Sequence, residues 1–138
     1  MGAIGASRWL APEIIAPAHK GGTVRVTESK AADVFAFGML AVEVFTGKIP
    51  FEEQRDEAVV LHIFGGGRPE RPQNAHELGL TAEVWKELES CWQQNSKKRP
   101  TMQEVAKKWQ SLVANDNGMN TFSGCVSRTY RQPRFQLL

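Results

Sequence analysis

Ser29-Lys30-Ala31-Ala32-Asp33-Val34-Phe35-Ala36-Phe37-Gly38-Met39-Leu40-Ala41-Val42-Glu43-Val44-Phe45-Thr46 is the stretch around which the rest of the chain has to be arranged. Ser29 is a good N-cap type, and Gly47 stands where helices favour a residue free of a side chain. Between them apolar residues occupy almost every face, and a helix apolar all round is a buried helix. The expectation is one long central helix with shorter ones packed about it. Asp33 and Glu43 are its only acids. A buried Asp33 requires a specific hydrogen-bond partner, because an unpaired carboxylate is costly to take out of water.

Upstream, residues 16–28 contain Pro17 and Gly21-Gly22 and read as a loop, preceded by a short helix after Pro12. Downstream, Lys48 to Phe51 is a connector. Asp56 is expected to cap a short helix whose Val59, Val60, Ile63 and Phe64 share one face, with Gly65-Gly66-Gly67 as its stop. Arg68-Pro69-Glu70-Arg71-Pro72 is extended, since the residue before a proline is pushed out of the helical region. A further helix opens at Thr81, with a possible staple between Leu80 and Trp85, and buries Trp85, Leu88 and Trp92. The last opens with a Thr101-x-x-Glu104 capping box and carries Met102, Val105, Ala106, Trp109, Leu112 and Val113 as one stripe. The aromatic residues Trp85, Trp92, Trp109 and Phe64 are expected in the core. The ordered unit is set at residues 1–114, and 115–138 is a basic tail with Arg128, Arg131 and Arg134 and no acid after Asp116.

The chain has 138 residues, 41% apolar and 23% charged, with a formal net charge of +2, which fits one globular domain. Its longest uncharged apolar run, Val34 to Val42, is far short of the ~20 residues a bilayer requires, so no membrane span is expected. Acids and bases are interspersed, so no nucleic-acid footprint is expected. Cys91 and Cys125 do not make a disulfide framework, which points to reduced thiols in a cytoplasmic setting, or a nuclear one, rather than a secreted scaffold.

Five short motifs then occur in a fixed order. Ala11-Pro12-Glu13 follows Gly5-Ala6-Ser7-Arg8-Trp9-Leu10; next come Asp33-Val34-Phe35-Ala36-Phe37-Gly38 and Gly47 to Phe51. After these stand Gly67-Arg68-Pro69 with Arg71-Pro72, and Cys91-Trp92 leading to Arg99-Pro100-Thr101. In this order they resemble the C-terminal lobe of a protein kinase, from the A-P-E that ends the activation segment to the last helix. The Arg-Trp before the A-P-E and the Cys-Trp…Arg-Pro-Thr ending are most similar to the tyrosine-kinase and tyrosine-kinase-like branches. Ala6 stands where the family usually has Thr or Ser, and Asn95-Ser96 where it has Asp-Pro.

The resemblance implies a mainly α fold, the helical C-terminal lobe of an α+β kinase fold. It implies that Glu13 pairs with Arg99, that Asp33 holds the backbone of a catalytic loop, and that Gly5, Arg8, Trp9 and Leu10 are a remnant of the substrate-docking segment. Family activity is ATP-dependent phosphorylation of protein Ser/Thr or Tyr hydroxyls, with magnesium. Phosphoryl transfer needs a Gly-rich cover, a phosphate-binding Lys, a catalytic Asp, and an Asp and Asn for magnesium. Asp33, Asp56 and Asp116 are the only aspartates, and none lies in an H-R-D or D-F-G context. His19, His62 and His76 have neither metal nor triad spacing. The expectation is therefore a chain inactive alone, with no catalytic residue and no bound cofactor or metal, whose partner is the missing kinase half. The alternative is a catalytically silent module that docks a protein partner.

Overall fold

The computed structural model describes residues 4–19 and 30–115, and every regular element among them is helical. A 3-10 helix over Ile4–Trp9 leads into α1 (Pro12–His19), and α2 (Lys30–Thr46) is the long central helix. Then follow α3 (Asp56–Phe64), α4 (Ala82–Cys91), a 3-10 turn at Ser96–Lys98, and α5 (Met102–Asn115). The chain is mainly α, as the apolar periodicity indicates.

The core forms around α2. Phe35, Met39, Val42 and Phe45 meet Ile14 and Ile15 of α1, Val59 and Ile63 of α3, and Val84 and Leu88 of α4. Each fully buried aliphatic or aromatic chain of this kind contributes roughly 1.5–3 kcal/mol relative to exposure. The close approach of α2 to α4 depends on Gly38, since a Cβ there would stand 3.0 Å from the Cβ of Cys91. α5 runs in the same direction as α2. Its first turn lies beside Lys30 to Val34, Val105 packs on Val34, and Trp109 meets Phe37 edge-on and Phe45 at a tilt.

The local signals work as their chemistry requires. Gly47 adopts φ 69° and its N–H reaches back to the Glu43 carbonyl, a left-handed stop that strains any other residue. Thr81 accepts from the Val84 N–H, with Leu80 and Trp85 both buried beside it. At α5 the box is reciprocal, the Thr101 N–H donating to Glu104 Oε2 at 2.7 Å and the Glu104 N–H to Thr101 Oγ1 at 3.3 Å. Thr101→Ala is expected to cost about 1 kcal/mol in urea unfolding with an unchanged m-value.

Several expectations are corrected. Asp56 is not the cap of α3. Arg55 holds that position without a side-chain cap, because the Asp56 carboxylate is engaged by Arg8. Phe64 is 40% exposed and lies outside the core, whereas Trp85 and Trp92 are buried and Trp109 is half-buried against it. α1 continues through Pro17 to His19 instead of giving way to a loop at residue 16. α2 is not covered on every side, for Leu40 is 51% and Val44 62% exposed. Asp33, on the same side, is exposed, and no hydrogen bond or ion pair to it occurs among the described residues. The Ser29 cap and the tail from 116 to 138 lie outside the described residues.

Cys91 is wholly buried, and burial together with the nearby Glu87 charge pushes its thiol up to about 11. At pH 8 about one molecule in a thousand carries the thiolate, so Cys91 is expected to resist alkylation in the folded chain and react fully in denaturant, as read by intact mass.

Candidate functional site

The segment before Pro12 is shaped by Arg8, whose side chain is turned inward and buried. Its guanidinium donates to the carbonyls of Pro50 at 2.7 Å, Phe51 at 2.6 Å and Gln54 at 2.7 Å, and to the Asp56 carboxylate at 2.8 Å. The planar fork of arginine suits this convergence of acceptors. The acceptors converge because residues 50–53 form a turn in which Phe51 takes φ 57°, a left-handed conformation that is rare and costly for a bulky residue. Trp9 sits beside Arg8, partly buried, and donates its indole N–H to Glu43 of α2 at 3.1 Å. Leu10 packs against the core, and Gly5 lies within the 3-10 helix. Of the four residues read as the remnant of a substrate-docking segment, Arg8 thus has its side chain turned into the protein interior.

Glu13 and Arg99, 86 positions apart, meet in a bidentate pair with N–O distances of 2.7 and 2.9 Å. The Arg99 side chain is fully buried, while 32% of the Glu13 side chain stays accessible. Arg99 also donates to the carbonyls of Gln93 at 2.8 Å and Ala31 at 2.8 Å, tying the end of the A-P-E motif to α2 and to the loop before α5. Burial alone would raise the Glu13 carboxyl. The hydrogen bonds from Arg99, joined by its own backbone and the charges of Arg99 and Arg68, bring it below the usual carboxylate range instead.

Arg68 is a member of this cluster that sequence reasoning noted only as part of a motif. Its guanidinium and that of Arg99 each lie 5.0 Å from the centroid of the Phe35 ring. Burial and the neighbouring Arg99 charge, partly offset by Glu13, bring Arg68 down to about 10. It donates to the carbonyls of Trp92, Gly67 and Ile63, and to Gln94. The signal that could have found it is the pair of arginines flanking prolines after a triple glycine. Arg71 likewise reaches the Leu80 carbonyl at 2.8 Å.

Asp33 does not join Glu13. It lines a groove of about 430 Å³ between the first turns of α2 and α5, whose walls include Lys30, Val34, Arg99, Pro100 and Met102. The described residues contain no group of three His, Cys, Asp or Glu side chains able to hold a metal ion. His62 makes an edge-on contact with Phe51, and His62 and His76 stand apart from any carboxylate cluster. No helix among the described residues is long and apolar enough to cross a membrane.

A family model described as protein tyrosine and serine/threonine kinase matches residues 2–109. The chain belongs to the protein kinase family. Among its relatives, a putative serine/threonine-protein kinase/receptor of Acanthamoeba polyphaga mimivirus is 40% identical over 100 residues, covering 72% of this chain and 5% of the relative. The serine/threonine-protein kinase STY46 of Arabidopsis thaliana is 34% identical over 110 residues, 79% of this chain and 17% of its own length. The cytoplasmic tyrosine-protein kinase BMX of Mus musculus is 33% identical over 110 residues, 79% and 15% respectively. This kinase chain therefore spans less than a fifth of each of these relatives, and its helices match the helical lobe of the kinase fold. Relatives named for both hydroxyl classes occur side by side.

Proposed function

We propose that these residues form the substrate-side helical lobe of a protein-kinase catalytic domain and that the polypeptide by itself transfers no phosphate. Activity, ATP-dependent phosphorylation of protein hydroxyls in a cytoplasmic setting, belongs in this reading to the lobe joined to an ATP-binding half. The observation that carries the reading is the Glu13–Arg99 tie, which fastens the end of the A-P-E segment to the α2 and α5 side of the core. In this reading the 3-10 helix that Arg8 pins from within, with Trp9 and Leu10 fixed on Glu43 and the core, is the remnant of the substrate-docking segment, and Glu13, Arg99 and Asp33 serve architecture.

In this reading the described residues offer no seat for a magnesium triphosphate. They hold no metal-binding carboxylate cluster, and the guanidinium groups of Arg8, Arg68 and Arg99 are engaged by internal acceptors. The purified 138-residue chain is expected to show no change in melting temperature with MgATP across a millimolar titration. A saturable upward shift would overturn the reading.

A second reading, a catalytically silent module that binds a protein partner, is supported by the neighbouring exposed apolar residues Leu40 and Val44 of α2. Native size-exclusion chromatography of the endogenous polypeptide separates the two: a stoichiometric complex with a polypeptide other than a kinase half favours the module, and a monodisperse monomer counts against it.

A further inference from the structure

With nine residues, α3 is shorter than the roughly 12–15 at which a helix holds by itself in water, so its order comes from what grips it. Its apolar grip is Val59 and Ile63, both fully buried, and it packs on the 3-10 helix and on α1. Its polar grip is a guanidinium at each end. Arg8 of the docking segment holds the carbonyls of Pro50, Phe51 and Gln54 and the carboxylate of Asp56, the first residue of α3. At the far end Arg68 donates to the carbonyls of Ile63 and Gly67, and Gln94 donates to that of Phe64.

The same two arginines lead back to the two ends of the segment. Arg8 belongs to it, and Arg68 shares the Phe35 ring with Arg99, which binds Glu13 just beyond it. The turn between α2 and α3 adds cooperativity. Phe51 holds φ 57° there, and a rare backbone state of this kind persists only while its surroundings enforce it. If α3 lets go, Arg8 loses the acceptors that the turn collects; if the segment lets go, the turn loses the donor those acceptors share. Contacts that depend on each other in this way make two pieces open together.

We infer that α3 and residues 7–10 open and close as one cooperative unit latched by Arg8, so that the order of α3 regulates the shape of the docking segment. That this shape governs peptide presentation rests on the functional reading above, whereas the unit itself rests on the hydrogen bonds and burial of α3. Linkage runs both ways. An acceptor peptide that favours the closed segment raises the stability of α3 by the same factor, and a change on the outward side of α3 alters the segment by the factor it costs the helix.

Native-state hydrogen exchange of the full chain, read by NMR, tests this. Leu61 lies inside α3 and is 54% exposed, and a glycine in a helix interior costs enough to raise local opening about fivefold. Leu61→Gly is therefore expected to speed exchange about fivefold both at the Ile63 amide and at the Leu10 amide, which donates to the Ser7 carbonyl. Ala106→Gly, at an exposed position of α5, weakens a helix outside the unit and should leave the Leu10 amide unchanged. In an Arg8→Lys chain the Leu10 response to Leu61→Gly should fall below about twofold while the Ile63 response persists. A Leu10 amide that answers to both glycines opens only with the whole domain, and one that answers to neither frays alone. Either result overturns the inference, as does an undiminished Leu10 response in the Arg8→Lys chain. A saturable MgATP shift would instead overturn the functional reading and leave these exchange ratios standing.

Discussion

Glu13→Ala is expected to destabilise the chain by about 3 kcal/mol, the low end of the range for breaking a buried ion pair, because Glu13 keeps 32% accessibility. The cost arises on the side of Arg99. Its side chain is fully buried, and without the carboxylate its charge is left with only the carbonyls of Gln93 and Ala31. At roughly 4–6 °C per kcal/mol for a domain of this size, melting should fall by about 12–18 °C, read by circular dichroism at 222 nm. A fall of less than 3 °C would show that the pair does not hold the A-P-E segment. Glu13→Gln separates charge from shape: it retains an acceptor for one Arg99 N–H and should lose less.

The acid limb of the stability curve carries the same signature. The Glu13 carboxyl titrates below its unfolded value, so its contribution is complete above about pH 4.3 and disappears as pH falls through the lower folded value. Wild type should therefore lose stability in that window, and the Glu13→Gln chain should show a flatter limb there. Equal slopes would contradict the assignment.

The second large effect is expected at Arg8. Arg8→Ala leaves the Pro50, Phe51 and Gln54 carbonyls and the Asp56 carboxylate without their shared donor and removes what holds Phe51 at φ 57°. At about 1–3 kcal/mol for each buried acceptor that water cannot reach, the loss should be on the order of 3–4 kcal/mol, since part of this site is open to solvent. Arg8→Lys should recover less than half, because an ammonium cannot present a planar fork to acceptors on several sides. Urea midpoints of the three chains check this. In hydrogen exchange the Arg8→Ala chain should lose protection first at the 50–56 turn and the start of α3, where the acceptors lie, while α4 and α5 remain protected. Full rescue by lysine would reduce the site to a simple charge contact.

Helices α2, α4 and α5 were legible from their own residues. The Thr101–Glu104 box, the Thr81 cap with Leu80 and Trp85, and the Gly47 stop each operate between groups no more than five residues apart, so neighbouring sequence is enough to specify them. The Glu13–Arg99 pairing was accessible through the order of the motifs, since no spacing rule connects positions 86 apart. Asp56 shows the opposite case. Its type and place read as a cap, yet Arg8, 48 positions earlier, takes the carboxylate and leaves Arg55 at the cap without a side-chain bond.

Exposure was the property least readable from the chain. Phe64 and Leu40 carry the same apolar code as Ile63 and Met39, but Ile63 and Met39 are fully buried while Phe64 is 40% and Leu40 51% exposed. Hydropathy states what a residue gains by burial, whereas burial itself depends on which element packs against that side. Amino-acid order alone therefore determined α2, α4 and α5, the stop at Gly47, the caps at Thr81 and Thr101, and the family to which the lobe belongs. Tertiary structure decided that Arg8 turns inward, that Arg68 joins Arg99 at Phe35, and that Asp33 is exposed. Each of these depends on acceptors, rings or apolar cover brought from tens of residues away, and no local pattern encodes that meeting.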